Sequence, residues 1–358
     1  MSYVLCHMKI AIDITPIKGS LHGHKVRGVG FYLNYLKRAL LTYFPEHTYH
    51  FFSQGEAIPD NTDIVHYPYF EPFSITLPLF EKHKRVITVH DLTPVVFPQH
   101  FPAGIKGTLR WQLQRFNLQR SDGIITDSFA SQKDIVRIAG IKKEKVSVAY
   151  LAGAEEFRRL KTYDRGRKTL TEKYHLPEKF VLYVGDVTWN KNVPRLVKAI
   201  KEADLPLVMV GKTLVEKNYD RTNPWNKDLA EVQDLVKGDS RILRLGFVPT
   251  EDLVLLYNCA SVFVFPSVYE GFGLPIVEAM QSGCPTIITK ESCMPEVGGD
   301  AVYYVDGYDT QSLAKGIKEV FFNETLQNEL SKKGLEQAKK FSWKKTAEET
   351  IEAYKKAL

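Results

Sequence analysis

Two glutamates separated by seven residues, Glu270 and Glu278, flank a glycine-rich turn in the second half of the chain. The turn follows an apolar run at residues 262–265, which is typical of a buried parallel strand. Gly271 and Gly273 allow a tight turn, and the following residues predict a helix. The amino end of a helix attracts anions, whereas the two carboxylates would accept hydrogen bonds from hydroxyl groups and repel phosphate. This pattern predicts a site for a ligand with sugars on both sides of a diphosphate, which is a nucleotide sugar. The alternative is a strand-turn-helix whose glutamates are merely solvated.

Two further positions carry groups suited to the same ligand. Lys191 lies at a predicted helix start after a strand and a glycine turn, where a long cationic side chain can reach a diphosphate. His90 and Asp91 end a predicted strand, and open α/β sheets bind ligands at the carboxyl ends of their strands. The alternatives are a solvated surface lysine and a His-Asp pair satisfied by backbone hydrogen bonds.

The run Glu270-Gly-Phe-Gly-Leu-Pro-Ile-Val-Glu278, followed by Ala279-Met280, Gly283 and Pro295-Glu296, closely resembles the donor-site motif of glycosyltransferase family 4. The resemblance extends over residues 8–358 and is strongest at 246–306. It implies the GT-B fold, in which two Rossmann-like domains face a central cleft. It also implies retaining transfer of a hexose from a nucleotide diphosphate sugar, GDP- or UDP-linked, to an acceptor hydroxyl in glycan, polysaccharide or glycolipid biosynthesis.

The resemblance assigns roles to particular residues. It makes His90, Glu270 and Lys191 the catalytic group, with His90 beside the donor sugar and Glu278 on the ribose. The expected donor-binding residues are Gly28, Gly30, Gly185, Asn190, Lys191, Phe247, Val248, Glu270, Gly271, Phe272, Gly273, Leu274 and Glu278. The expected acceptor-side residues are Arg27, Asp91 and Ser128. Asn190 and Asp186 replace a second phosphate-binding cation of the family, which leaves Lys191 alone in that role.

No cofactor is expected, and no metal, because the chain has no D-x-D triplet. The rival functions are a nucleotide-sugar epimerase of the same fold, a non-catalytic nucleotide-sugar binding module and, more distantly, a dehydrogenase. The dehydrogenase lacks support because Gly28 and Gly30 are not followed by the third glycine of a dinucleotide fingerprint.

Strand and helix patterns alternate along the chain, which predicts an α/β fold built from doubly wound parallel sheets. The predicted strands lie at residues 9–13, 63–66, 85–90, 123–128, 146–151, 180–184, 207–211, 242–246, 262–265 and 285–289. A chain of 358 residues suits two domains. We place an acceptor-side domain at 1–160, with 1–7 set aside as a leader, and the donor-binding domain at 161–340. The stretch 154–173 is the predicted linker, and the resemblance implies that a terminal helix at 341–358 returns to the first domain.

Composition is that of a globular protein, with 44% hydrophobic and 25% charged residues. The four cysteines form no C-x-x-C pair, which favours free thiols over zinc or disulfides. No apolar run reaches the roughly 18 residues of a membrane span, and no signal-peptide pattern opens the chain. We therefore expect a cytoplasmic protein. No nucleic-acid motif is present.

The net charge of +6 lies entirely in residues 1–160, which contain 20 Lys and Arg against 14 Asp and Glu. Such a bias usually means a solvated surface, but it also suits an anionic acceptor or the inner membrane face. One predicted helix combines a stripe of Leu109, Leu113 and Phe116 with several basic residues. We expect that stripe to be buried, and the alternative is that the helix meets an anionic lipid acceptor.

Overall fold

A computed structural model of the chain describes residues 7–18, 28–161 and 164–358. Arg27, which was predicted to lie on the acceptor side, is outside the described residues. Residues 1–6 of the predicted leader are outside them as well. The strands are β1 (Lys9–Asp13), β2 (Thr48–Phe52), β3 (Ile64–Tyr67), β4 (Lys84–Thr88), β5 (Gly123–Thr126), β6 (Val146–Val148), β7 (Val181–Val184), β8 (Leu207–Val210), β9 (Ile242–Arg244), β10 (Val262–Phe265), β11 (Thr286–Thr289) and β12 (Tyr303–Val305). The α-helices are α1 (Thr15–Lys18), α2 (Val29–Tyr43), α3 (Thr93–Val96), α4 (Gly104–Gln119), α5 (Phe129–Asp134), α6 (Asp164–Tyr174), α7 (Val193–Ala203), α8 (Lys227–Leu235), α9 (Thr250–Cys259), α10 (Leu274–Gln281), α11 (Met294–Gly298), α12 (Thr310–Phe322), α13 (Glu324–Ala338) and α14 (Trp343–Ala357).

The chain forms two compact units, each built on one six-stranded sheet. The first unit contains residues up to Pro98, then Ala103–Ala152 and Ser342–Leu358, and the second contains Gln99–Pro102 and Gly153–Phe341. The strand orders are β2-β1-β3-β4-β5-β6 and β12-β11-β10-β7-β8-β9, and every paired strand is parallel. Helices cover parallel sheets on both faces, which is why strands such as β10 are apolar and buried at every position.

In the second sheet the strand order reverses between β7 and β10. Strands β8 and β9 follow on one side of β7, and β10, β11 and β12 follow on the other. Open α/β sheets bind ligands at such a switch point, beyond the carboxyl ends of the strands. The loops after β7 and β10 are therefore the parts of this unit best placed to hold a ligand.

The last helix, α14, belongs to the first unit. Ser342 caps it, because its side chain accepts a hydrogen bond from the Lys345 N–H at 3.2 Å. Its fully buried Tyr354 places its hydroxyl 2.7 Å from Nδ1 of His66 on β3. Burial lowers the pKa of His66 to about 3, so this imidazole is neutral at physiological pH.

Three details differ from the sequence analysis. Strands β2 and β12 were not predicted, because their Tyr- and His-containing runs lack a continuous apolar stretch. The units divide between Ala152 and Gly153 rather than at 160/161. The stretch 154–173, predicted as a linker, contains most of α6, whose Leu170 is buried and whose Lys173 pairs with Asp252 on α9 at 2.6 Å. A helix with so few large apolar residues gives little periodic signal.

Candidate active site

Lys191 and Glu270 form an ion pair at the switch point of the second sheet. Lys191 follows β7 and Glu270 follows the neighbouring strand β10. The Lys191 ammonium lies 2.6 Å from each carboxylate oxygen of Glu270. Only 24% of the lysine side chain and 10% of the glutamate side chain are exposed. The structure thus joins two residues predicted to act on the same ligand, although 79 positions separate them in the chain.

The turn between β10 and α10 leads into a helix start that no side chain caps. Gly273 is the residue before α10 and has φ of 92°, a left-handed conformation that favours glycine. It has no side chain that could cap the helix, and the amino end of a helix is a position at which anions bind. Phe272 is buried and packs edge-on against Phe341, so it fixes the turn rather than lining it. The helix begins at Leu274, one residue earlier than the pattern starting at Pro275 indicated.

Glu278 lies one turn into α10 and is held by a tyrosine from α9. The Tyr257 hydroxyl donates to Oε2 of Glu278 at 3.0 Å, and the Tyr257 side chain is fully buried. A hydrogen bond from a buried phenol fixes the orientation of the Glu278 carboxylate. Tyr257 was not singled out from the sequence, since no pattern links it to a residue 21 positions away.

Asn190 ties the lysine loop to the glutamate loop. The Asn190 side-chain amide donates to the Tyr269 carbonyl at 2.9 Å, and the Asn190 backbone carbonyl accepts from the Val268 N–H at 2.8 Å. Asp186 accepts two hydrogen bonds from Thr213. The two residues that replace the second cation of the family therefore organise loops, and contact of Asn190 with a donor remains a prediction.

Ser292 and Cys293, which the sequence analysis did not assign, hold the other side of the same turn. The Ser292 hydroxyl donates to the Glu270 carbonyl at 2.9 Å and lies 3.4 Å from the Glu270 N–H. Ser292 has φ of 54°, which is rare for a residue other than glycine. The Cys293 thiol, which is fully buried, lies 3.2 Å from the Phe272 carbonyl. The backbone carrying Glu270 is thus fixed by side chains from the loop after β11.

The remaining donor-side predictions of the second unit lie at the start of the loop that carries Lys191 and on the loop between β9 and α9. Gly185 follows β7, and its N–H donates to the Val210 carbonyl at 2.8 Å. Phe247 is 56% exposed between β9 and α9, whereas the Val248 side chain is buried. Any contact of Val248 with a ligand would therefore involve its backbone. The donor contacts of Gly185, Phe247 and Val248 remain predictions.

In the first unit, His90 pairs with Asp127. His90 follows β4 and Asp127 follows the adjacent strand β5, and Nδ1 of His90 lies 2.7 Å from Oδ2 of Asp127. Burial alone would lower the pKa of His90. The Asp127 carboxylate and its hydrogen bond, together with Asp91 and the Pro68 carbonyl, outweigh burial and raise that pKa above its ordinary value. Asp127 was missed from the sequence because its partner lies 37 residues away.

The other predicted residues of the first unit have local structural roles. Asp91 accepts from the Thr93 N–H at 2.8 Å at the start of α3. Ser128 is fully buried and caps α5 by accepting from the Ser131 N–H at 3.1 Å. Gly28 precedes α2 with φ of 65°, and Gly30 is buried inside that helix. These contacts explain the residue types, and roles toward an acceptor or a donor remain predictions.

Comparison with known proteins identifies the family. Residues 167–337 match the glycosyl transferases group 1 model, and residues 14–152 match the glycosyltransferase family 4 model. The O-antigen chain mannosyltransferase B of Escherichia coli is 30% identical over 98% of this chain and 90% of its own length. The chain belongs to glycosyltransferase family 4. A second relative of this family 4 enzyme is the serotype-specific mannosyltransferase WbdA of Escherichia coli, which is 30% identical over 77% of the chain. That match covers 34% of WbdA.

Solved structures share the fold of this family 4 glycosyltransferase. Sucrose-phosphate synthase from Thermosynechococcus elongatus has a TM-score of 0.73 at 19% identity, with 98% of both chains covered. Anabaena HepE, solved with UDP and glucose, has a TM-score of 0.71 at 16% identity, covering 97% of this chain and 99% of its own. The predicted two-domain Rossmann-like GT-B fold and the predicted glycosyltransferase function in glycan biosynthesis are therefore confirmed.

No helix among the described residues is both long enough and apolar enough to cross a membrane. Cys284 and Cys293 are buried free thiols, and Cys259 is a partly buried one.

Proposed function

We propose that this family 4 glycosyltransferase moves a hexose from a nucleotide diphosphate sugar to a hydroxyl of a glycan acceptor, with retention of configuration. The Lys191–Glu270 ion pair beside the amino end of α10 carries this proposal. The relatives described above are mannosyltransferases, so mannose is the favoured sugar and a GDP- or UDP-linked mannose the favoured donor.

The proposed roles follow from charge and reach. The difficult charge develops on the departing diphosphate, and Lys191 with the N–H groups of the Gly271–Leu274 turn would stabilise it. Glu278 would accept hydrogen bonds from the ribose and Glu270 from the sugar. The Lys191 ammonium has three protons. Two of them are donated to the carboxylate oxygens of Glu270, and the third could be donated to a phosphate oxygen. His90 would contact the sugar from the first unit.

Retention without a protein nucleophile fits the state of Glu270. A carboxylate that binds one ammonium through both oxygens is a weak nucleophile, so we assign it to positioning and not to a covalent intermediate. We therefore propose that the acceptor oxygen bonds to the anomeric carbon on the face from which the diphosphate leaves. The bond from that carbon to the phosphate oxygen breaks, and the proton of the acceptor hydroxyl passes to the departing phosphate. Lys191 would supply the positive charge that a divalent metal supplies in metal-dependent transferases, and activity should persist in a chelator.

The test combines a donor screen with a transfer assay. UDP, GDP and their sugars are compared by thermal shift, since a ligand that binds the folded state raises its melting temperature. Lys191→Ala and Glu278→Ala should each lower transfer by at least about tenfold, roughly the 1.4 kcal/mol of one charge-assisted hydrogen bond. Lys198→Ala is the matched control, because Lys198 lies on the adjoining helix α7 and pairs with the exposed Glu231. Wild-type transfer rates in both site variants would show that Lys191 and Glu278 do not have the proposed roles. A product with inverted anomeric configuration would refute retention.

We also propose a carbohydrate or lipid-linked glycan acceptor and a cytoplasmic location at the inner membrane face. The basic excess of residues 1–160 supports an anionic surface as neighbour. Cell fractionation would test the location. Conversion of a nucleotide sugar without transfer to any acceptor would instead favour the epimerase alternative.

A further inference from the structure

Helix α4 of the first unit presents its apolar side chains outward. Ile105 is 83% exposed, Leu109 67% and Phe116 50%. At about 100° per residue these three side chains share one face of the helix. The stripe of Leu109, Leu113 and Phe116 that the sequence analysis expected to be buried is therefore not the inner face of this helix.

The inner face of α4 is partly polar and is tied to the 71–76 segment by hydrogen bonds. Gln114 and Asn117 are 0% and 1% exposed, beside the buried Trp111. The Gln114 amide donates to the Glu71 carbonyl at 3.2 Å and to the Thr76 hydroxyl at 2.7 Å. Rotating the helix to bury its apolar face would break these bonds and deprive the Glu71 carbonyl and the Thr76 hydroxyl of this donor. The outward apolar face is thus a fixed feature of the unit.

The apolar surface continues beyond the helix. The Arg120 guanidinium lies 5.2 Å from the centre of the Phe116 ring and lines the same surface depression as Leu79 and Phe80. Phe80 is 92% exposed and Leu79 is 55% exposed. We call Leu79, Phe80, Ile105, Leu109 and Phe116 the α4 surface. Exposed apolar side chains are common singly, but a cluster of five on one unit marks an interaction surface.

The charged side chains of helix α4 are all basic, whereas the depression beside Leu79 and Phe80 is lined by Glu81 and Asp122 as well as by Lys82 and Arg85. No Asp or Glu occurs between Asp91 and Asp122, whereas Lys106, Arg110, Arg115 and Arg120 do. Lys106 and Arg110 are exposed beside the apolar face. An apolar stripe flanked by basic side chains is the pattern of helices that lie in a membrane interface.

We propose that the α4 surface binds the headgroup region of a bilayer containing anionic phospholipid. A second copy of the chain is a poorer occupant, because a two-fold contact through α4 would bring the same basic side chains together. The inference builds on the lipid-linked acceptor proposed above, since a surface-bound enzyme meets such an acceptor in two dimensions. The membrane proposal is tested without donor or acceptor. A negative result would therefore refute membrane binding without refuting the proposed transfer reaction.

The experiment is flotation of the full chain with vesicles of phosphatidylcholine alone or with added phosphatidylglycerol. The wild type should float with the anionic vesicles and lose binding as salt rises. Ile105→Ser, Leu109→Ser and Phe116→Ser combined should weaken binding at least about tenfold through lost apolar contact. Lys106→Gln with Arg110→Gln should weaken it about 25-fold, at about fivefold for each basic residue. Phe322→Ser, at a 70% exposed site of the second unit, is the matched control and should bind like the wild type.

All of these positions are exposed, so the variants should fold, and circular dichroism and melting temperature check this. Sugar transfer to a water-soluble acceptor should stay at the wild-type rate in each variant. A wild type that binds neither vesicle overturns the proposal, as does equal loss in the Phe322 control. A wild-type dimer that the serine variants convert to monomer, with no vesicle binding, assigns the surface to a second copy and also overturns it.

Discussion

Replacing Lys191 by methionine should destabilise the second unit even without a donor. Methionine keeps the length and most of the apolar stem of lysine, so the substitution removes the charge with little change in side-chain volume. The ammonium also lies 5.4 Å from the centre of the Phe265 ring, and that cation–π contact is lost with the charge. Glu270, about nine-tenths buried, is then left without the cation that contacts both its oxygens. Removing one partner of a fully buried pair costs about 3–5 kcal/mol. With a quarter of the lysine exposed, we expect about 2–3 kcal/mol.

The measurement is a melting curve for the wild type, Lys191→Met, Glu270→Gln and the double variant. A loss of this size in a unit of this length lowers the melting temperature by about 4–12 °C. Glu270→Gln should cost a similar amount, because it leaves the ammonium unpaired. The double variant should be more stable than the sum of the two single losses predicts, since neither charge is then unmatched.

Lys198→Met provides the control, since Lys198 and Glu231 are also 2.6 Å apart but with side chains 49% and 39% exposed. Exposed pairs contribute about 0–1 kcal/mol, so this variant should melt close to the wild type. Equal losses in Lys191→Met and Lys198→Met would refute the argument that burial makes the first pair strong. Strict additivity in the double variant would refute the direct interaction.

Three further changes test the groups around the site. Asp127→Asn should lower the pKa of His90, read by NMR titration, because a neutral amide replaces the carboxylate that raises it. A raised pKa adds stability that is present below the ordinary histidine value of about 6.5 and is lost as pH rises through the folded pKa. This variant should therefore lose more stability near about pH 5 than near about pH 9, and an equal loss would contradict the pairing. Tyr257→Phe should raise the donor KM about two- to tenfold by freeing Glu278, and an unchanged KM would remove that role. Ser292→Gly and Ser292→Ala should lower donor kcat/KM alike, because both remove the hydroxyl. The glycine variant should be about 1 kcal/mol more stable than the alanine variant, because glycine relieves the cost of the positive φ that serine and alanine share. Unequal kinetics in the two variants would show that the lost hydroxyl does not explain the change in activity.

The parts of the site that the sequence predicted well are local in the chain. The strand at 262–265, the glycine turn and the helix with Glu278 follow from residues within about two dozen positions of one another. Strand and helix periodicity and glycine conformations act over such distances, and the alternation of elements then gives the doubly wound sheets. The loop after β7 was found for the same reason, because Lys191 stands between a buried strand and a helix start.

The parts that were missed depend on which loops the fold brings together. Asp127 contacts His90 from the next strand, and Ser292 reaches Glu270 from another loop. No local pattern marks either pair. The predicted orientation of α4 was wrong for a related reason. Its stripe of apolar residues has the period expected of a buried face, and this period led to the wrong prediction. The hydrogen bonds of Gln114 to the 71–76 segment decide instead which face turns inward.

The two charged pairs occupy equivalent positions in their sheets, and this similarity suggests how the enzyme would work. Lys191 with Glu270, and His90 with Asp127, each come from loops that follow adjacent parallel strands. Because the strands fix the loop positions, the partners meet before any ligand arrives. A donor would then find Glu270 already oriented by the Lys191 ammonium, which has one further proton for a phosphate oxygen. Groups held in place in advance lose little conformational freedom when charge develops on the leaving diphosphate. If so, loosening either pair should reduce turnover more than it reduces nucleotide binding.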